Sequence, residues 1–183
     1  MSAAIPDYVQ PFDGWRVWRV SGDGSEVRLL SVVQETLWPP REELLAECLR
    51  RRILARFRRR RPRHEPPAER CACGIYATTL DRLGTYLYGR GHFRTRYVFG
   101  RVRLWGTVIE CEQGWRAARA YPAEILVPAP AERTQARATA EEIAHGLSRY
   151  GVPVVVLPHA PGEALDVVAH EQGRPGHIGS TRW

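Results

Sequence analysis

Three cysteines and a histidine, Cys48, His64, Cys71 and Cys73, stand in the pattern Cys-x15-His-x6-Cys-x-Cys. Three thiolates and one imidazole are a full donor set for one tetrahedral zinc ion, and a site closed by four protein ligands is of the structural kind. A Cys-x-Cys pair makes a tighter bite than the Cys-x-x-Cys of zinc knuckles, and Pro66 and Pro67 stiffen the link between His64 and the thiols. Zinc is the cofactor these residues predict. Two other chemistries fit them. Free cysteines pack as small hydrophobes. Alternatively, Cys71 or Cys73, ahead of a helix expected from Gly74, would have its thiolate favoured by the helix dipole. With His64 or His92 as base, such a thiol would suit a cysteine-dependent enzyme or a thiol redox protein. No nucleophile signature surrounds either cysteine, and a disulfide between them would close a strained ring. Cys111, between Glu110 and Glu112, reads as structural.

All 27 basic residues are arginine. The absence of lysine excludes Schiff-base chemistry, a lysine general base and the lysine of a phosphate loop, although a GC-rich genome would leave the same mark. Nine of the arginines fall in one run: Arg50, Arg51, Arg52, Arg56, Arg58, Arg59, Arg60, Arg61 and Arg63. One reading is a solvated helix face. The other is nucleic-acid binding without base specificity, since each neutralised phosphate adds affinity and salt sensitivity and the guanidinium fork suits phosphate. The net charge of +7 favours such a polyanion, or an acidic protein surface.

With 44% hydrophobic and 9% aromatic residues, wholesale disorder is excluded. No apolar run reaches the length of a membrane span, and the N-terminal residues lack the basic start and apolar core of a signal peptide. A cytoplasmic location with no membrane partner is expected, and there unpaired cysteines point to metal or thiol chemistry.

These residues need elements to position them. Trp15–Val20 and Glu26–Val33 are β-rich runs around a Gly/Asp turn, which predicts a hairpin. Trp38-Pro39-Pro40 ends it, and the spacing of Leu45, Cys48, Leu49, Ile53 and Phe57 predicts a helix over 41–60. A second helix is expected over 74–88, with Tyr76, Leu80, Leu83 and Leu87 on one face. Residues 97–127 alternate strongly, with Val98, Val102, Leu104 and Val108 on one face. Gly100 and Gly106 inside that run suggest a bulge or a close backbone approach. A helix over 134–149 and a strand over 152–157 follow.

The combination His64-Glu65-Pro66-Pro67-x3-Cys71-x-Cys73-Gly74-Ile75-Tyr76-Ala77 with Leu104-Trp105-Gly106-x-Val108-Ile109-Glu110-x3-Gly114-Trp115-Arg116-Ala117-x2-Ala120-Tyr121-Pro122 resembles a group of hypothetical bacterial proteins. The resemblance spans residues 14–127 and implies that these segments form one unit. It carries over no catalytic residue. The expected architecture is an N-terminal arm (1–13), one α+β domain (14–158) and a C-terminal tail (159–183). The domain would have a mostly antiparallel sheet from two Trp-bearing hairpins, flanking helices and a structural zinc site. The leading functional expectation is a non-enzymatic, zinc-stabilised basic module that binds nucleic acid. The alternatives are the thiol chemistry above and a protein-binding accessory factor.

Overall fold

Two tryptophan-bearing hairpins organise residues 7–48, 64–88, 97–129 and 134–172, the parts of the chain described by this computed structural model. In the first, β1 (Asp7–Ser21) turns through a short 3-10 helix (Gly24–Glu26) into β2 (Arg28–Ser31), with Trp18 opposite Ser31. In the second, β6 (Tyr97–Cys111) turns at Glu112 and Gln113 into β7 (Gly114–Pro122), with Cys111 opposite Gly114. Five short strands complete one mostly antiparallel sheet: β3 (Leu37–Trp38), β4 (Leu44–Leu45), β5 (Ile75–Thr78), β8 (Ile125–Pro128) and β9 (Val154–Leu157). The β8–β9 pair is parallel. The chain is therefore α+β, as expected.

Strand β1 pairs with β6 on one edge and with β2 and β5 on the other. Since β5 also pairs with β7, and β7 with β6, these four strands close into a ring. Closure demands bending, and the register shifts between Tyr8 and Phe12 in β1 and between Trp105 and Val108 in β6 supply it. Gly100 allows a close approach: a Cβ there would lie 2.0 Å from the Glu124 carbonyl oxygen.

Alternation along the strands sorts side chains into two cores. Trp18, Val20, Val98 and Val102 join Ile125 and Val127 on one face, covered by Ala140, Ile143 and Leu147 of α2 (Thr134–Leu147). Trp15, Val17, Phe99 and Leu126 face the other way. They meet Leu83 of α1 (Leu80–Tyr88) and Ala164, Leu165 and Val168 of α3 (Pro161–Gln172). Among the described residues, no helix is long and apolar enough to cross a membrane.

Four stretches depart from the sequence expectation. The described part of the 41–60 helix, residues 41–48, is not helical: Arg41 has a φ of +63°, and Leu44 and Leu45 pair with Ala120 and Arg119. A vacant strand edge outbids helix propensity there; residues 49–60 lie outside the described residues. The helix expected from Gly74 starts at Leu80, because Ile75–Thr78 pair with Gly114–Ala117 and bury Ile75 and Ala77 while Tyr76 faces out. Residues 7–13 of the expected arm belong to β1, and residues 161–172 of the expected tail form α3.

A tyrosine ties the first hairpin to the end of α2, which runs on into a 3-10 turn (Ser148–Tyr150). Buried Tyr150 accepts a hydrogen bond at its hydroxyl from Leu29 N (2.9 Å) and donates to the Trp38 carbonyl (2.7 Å). Removing that oxygen strands a buried N–H, which costs about 2 kcal/mol. We therefore expect Tyr150→Phe to lower the thermal unfolding midpoint by roughly 5 °C for a chain of this size, measured by circular dichroism.

Candidate metal centre

The edge of β7 that faces away from β6 carries two strands end to end. Strand β5 occupies Gly114–Ala117 and β4 occupies Arg119–Ala120, with Ala46 N donating to Ala118 O (2.8 Å) between them. Both run antiparallel to β7, so β4 ends where β5 begins. The described residues between them, 46–48 and 64–74, form an excursion that leaves and rejoins this interrupted edge. Cys48 sits where the chain leaves, and Cys71 and Cys73 where it returns. His64 comes back through a turn in which Cys71 N donates to Ala68 O (3.0 Å). Gly74 then adopts a φ of +126°, and a Cβ there would press on Pro67 and Arg116, so the bend between Cys73 and β5 requires glycine.

This geometry brings all four sequence-predicted metal ligands together. Their donor atoms, three Sγ and one imidazole nitrogen, lie within 4.8 Å of one another. Cys48 Sγ is 3.8 Å from Cys71 Sγ, and Cys73 Sγ is 3.4 Å from His64 Nε2. A tetrahedron with Zn–S of ~2.3 Å and Zn–N of ~2.0 Å has S···S edges near ~3.8 Å and S···N edges near ~3.5 Å. These two separations are close to the edges of a zinc-sized tetrahedron, and the Cys48–Cys71 distance is far longer than a disulfide's ~2.0 Å. Cys48 and Cys73 are buried, His64 and Cys71 half-buried. The arrangement can hold a divalent cation compatible with zinc and, with four protein donors, would leave it no open coordination position.

The electrostatics of the thiols fit that role. Burial, followed by the influence of Cys71 and Cys48 beside it, pushes the Cys73 thiol up to about 11. A backbone hydrogen bond at Ala68 opposes burial and outweighs each of the cysteine contributions singly. As a bare thiol Cys73 is therefore a poor nucleophile near neutral pH, whereas a bound cation would reverse the balance by stabilising the thiolate. The helix dipole expected to activate Cys71 and Cys73 is absent, because a strand and not a helix follows them.

Sequence reasoning missed Arg116. Buried in β7, it donates through Nη1 to the carbonyl oxygens of Cys71, Cys73 (3.1 Å) and Ala68 (3.4 Å), and through Nε to Cys111 Sγ (3.2 Å). One guanidinium thereby gathers the loop that carries two ligands. Three thiolates and a dication sum to one negative charge, which the Arg116 cation offsets. The sequence held a faint signal, an arginine among small and apolar residues of a strand. Cys111 touches Arg116 and not the cluster. The nine arginines from Arg50 to Arg63 lie outside the described residues, as does His92.

We expect the purified chain to carry one zinc ion per molecule by elemental analysis, and Cys48→Ser or Cys73→Ser to lose it to a mild chelator. Arg116→Met should weaken zinc binding by roughly 10- to 100-fold, the usual scale for loss of an outer-shell partner, in a chromophoric chelator competition. Cys111→Ser should retain the metal. No protein-family model, curated protein or solved structure matches the chain, so the geometry of this centre carries the functional reading alone.

Proposed function

We propose that Cys48, His64, Cys71 and Cys73 hold a structural zinc ion that clasps the base of the arginine-rich segment 49–63, and that this segment binds nucleic acid without base specificity. The observation that carries the reading is the convergence of the four donor atoms within 4.8 Å. Cys48 and His64 are the immediate sequence neighbours of the segment, so a metal bound by both joins its two ends. The segment holds nine arginines and no acidic residue, while the rest of the chain has eighteen arginines against twenty acidic residues. The excess positive charge of the protein thus belongs to this one segment.

A zinc clasp would do for the ends of this segment what the sheet does for its strands. Among the described residues between β4 and β5 only Cys48, Pro67 and Cys73 are buried, so these residues contribute little apolar burial of their own. Metal binding free energy can serve as folding free energy in such a segment. Holding both ends also reduces the entropy lost when the arginines settle on a phosphate backbone.

Fluorescence anisotropy with a labelled oligonucleotide tests this. Affinity should fall by about a thousandfold between about 50 and 200 mM salt if six phosphates are neutralised, with little dependence on sequence. Replacing Arg58, Arg59, Arg60 and Arg61 by alanine should flatten that salt slope, and chelation of the zinc should weaken binding. A folded, metal-loaded chain with no affinity at low salt would remove nucleic acid as the partner; capture of an acidic protein that survives nuclease would then favour an accessory factor.

A further inference from the structure

Beside the metal centre, on the far side of Glu47 and Ala72, the sheet opens into a cavity of about 980 Å³ between β1, the β2–β3 connection, the β4 segment and β5, with α1 at one end. Its size is at the upper end for sites of small organic ligands. Two independent features set it apart.

The first is a floor made of donors. Arg16 of β1 donates through Nη2 to Ser31 Oγ (2.9 Å) and through Nη1 to the Tyr76 carbonyl, and its guanidinium lies 5.1 Å from the centre of the Trp38 ring. Trp38 Nε1 also donates to Ser31 Oγ (2.9 Å). With both acceptor positions of that hydroxyl taken, its own proton remains to be given. Arg16 Nε is buried with no hydrogen-bond partner among the described residues. Burial lowers the Arg16 pKa to about 10, so the group stays charged at neutral pH. No carboxylate pairs with it among the described residues. The acids around the opening are otherwise engaged, Glu35 with Arg19 (2.8 Å) and Glu43 with Arg119 (3.0 Å), and Glu47 has an interaction of its own.

The second feature is the rim. Six large hydrophobic side chains are exposed among the described residues, and five of them, Val33, Leu37, Leu45, Tyr76 and Tyr86, border this one opening. Apolar side chains gathered around a concavity with a few convergent polar groups are the usual make-up of a ligand site.

We propose that this cavity binds a small organic acid, its carboxylate on Arg16 and Ser31 and its apolar body, of the size of a fused aromatic ring or a medium acyl chain, against the Leu37, Leu45, Tyr76 and Tyr86 rim. A carboxylate is an acceptor-only group, the complement of a floor that only donates. The apolar body would cover side chains that now face water. The proposal does not rest on nucleic-acid binding.

Calorimetric titration of the zinc-loaded full chain tests it with 2-naphthoate, dodecanoate and the neutral 2-naphthamide. At least one acid should bind with a Kd below about 1 mM, and 2-naphthamide should bind about tenfold more weakly than 2-naphthoate or worse. Arg16→Met should bring the acid down to the level of the amide, and Tyr86→Ala should weaken acid and amide alike. Equal affinity of acid and amide in the unmodified chain would overturn the proposal and leave Arg16 as a tie between β1, β2 and β5, whether or not Arg16→Met folds. Failure of both acids to bind at that concentration would overturn it too. Displacement of 2-naphthoate by an equal concentration of inorganic phosphate would overturn the assignment to carboxylates.

Discussion

One edge of β7 shared by two short strands is the constraint from which the rest of the structure follows. Strand β4 takes the C-terminal half of that edge and β5 the N-terminal half, and the break between them falls at Ala118. Because the ladder hydrogen bonds fix both strands in register, the chain must leave and re-enter the sheet at nearly one point. Cys48 and Cys73 mark that point. The remaining donors, His64 and Cys71, have only a short turn to cross, and Pro66 and Pro67 restrict its course. Convergence of ligands far apart in sequence is thus a consequence of strand pairing.

Two arginines, Arg116 of β7 and Arg16 of β1, show how one side-chain chemistry serves opposite ends. Arg116 donates to three carbonyl oxygens and a sulfur, and its charge faces a cluster that becomes anionic once metallated. It is a satisfied group, and its worth is positional. Arg16 has one hydroxyl, one carbonyl and an aromatic face for company, with a buried N–H unmatched. Half-burying a cation with no counter-charge beside it has a cost that a bound anion would offset. That contrast, more than arginine content, separates a structural residue from a binding one here.

The core is held by means common to sheet proteins, alternating side chains sorted onto two helical covers. Tyr150, Tyr121 and Trp38 add a polar seam that spans the first hairpin and the end of α2: Tyr121 Oη donates to the Tyr150 carbonyl (2.7 Å), and Tyr150 Oη to that of Trp38. The seam buries polar atoms in matched pairs. It also steadies β3, a strand only two residues long, whose Trp38 lies under Arg16.

Local pattern determined much of this protein. The two hairpins, the buried face of Val98, Val102, Leu104 and Val108, the helix from Thr134 and the four candidate ligands were all legible in the sequence. Period-two alternation, turn residues and donor chemistry are properties of neighbouring residues, and they survive without knowledge of the whole. Only the tertiary structure decided that residues 44–45 and 75–78 are strands, that 161–172 form a helix, and that Arg116 and Arg16 matter. The apolar spacing at Leu45 and Cys48, or at Tyr76 and Leu80, is compatible with a helix, but a vacant edge on β7 offered backbone hydrogen bonds that no single-stretch reading contains. What an arginine does likewise depends on which carbonyls, hydroxyls and rings the fold brings to it, and those partners lie 15 to 60 residues away along the chain.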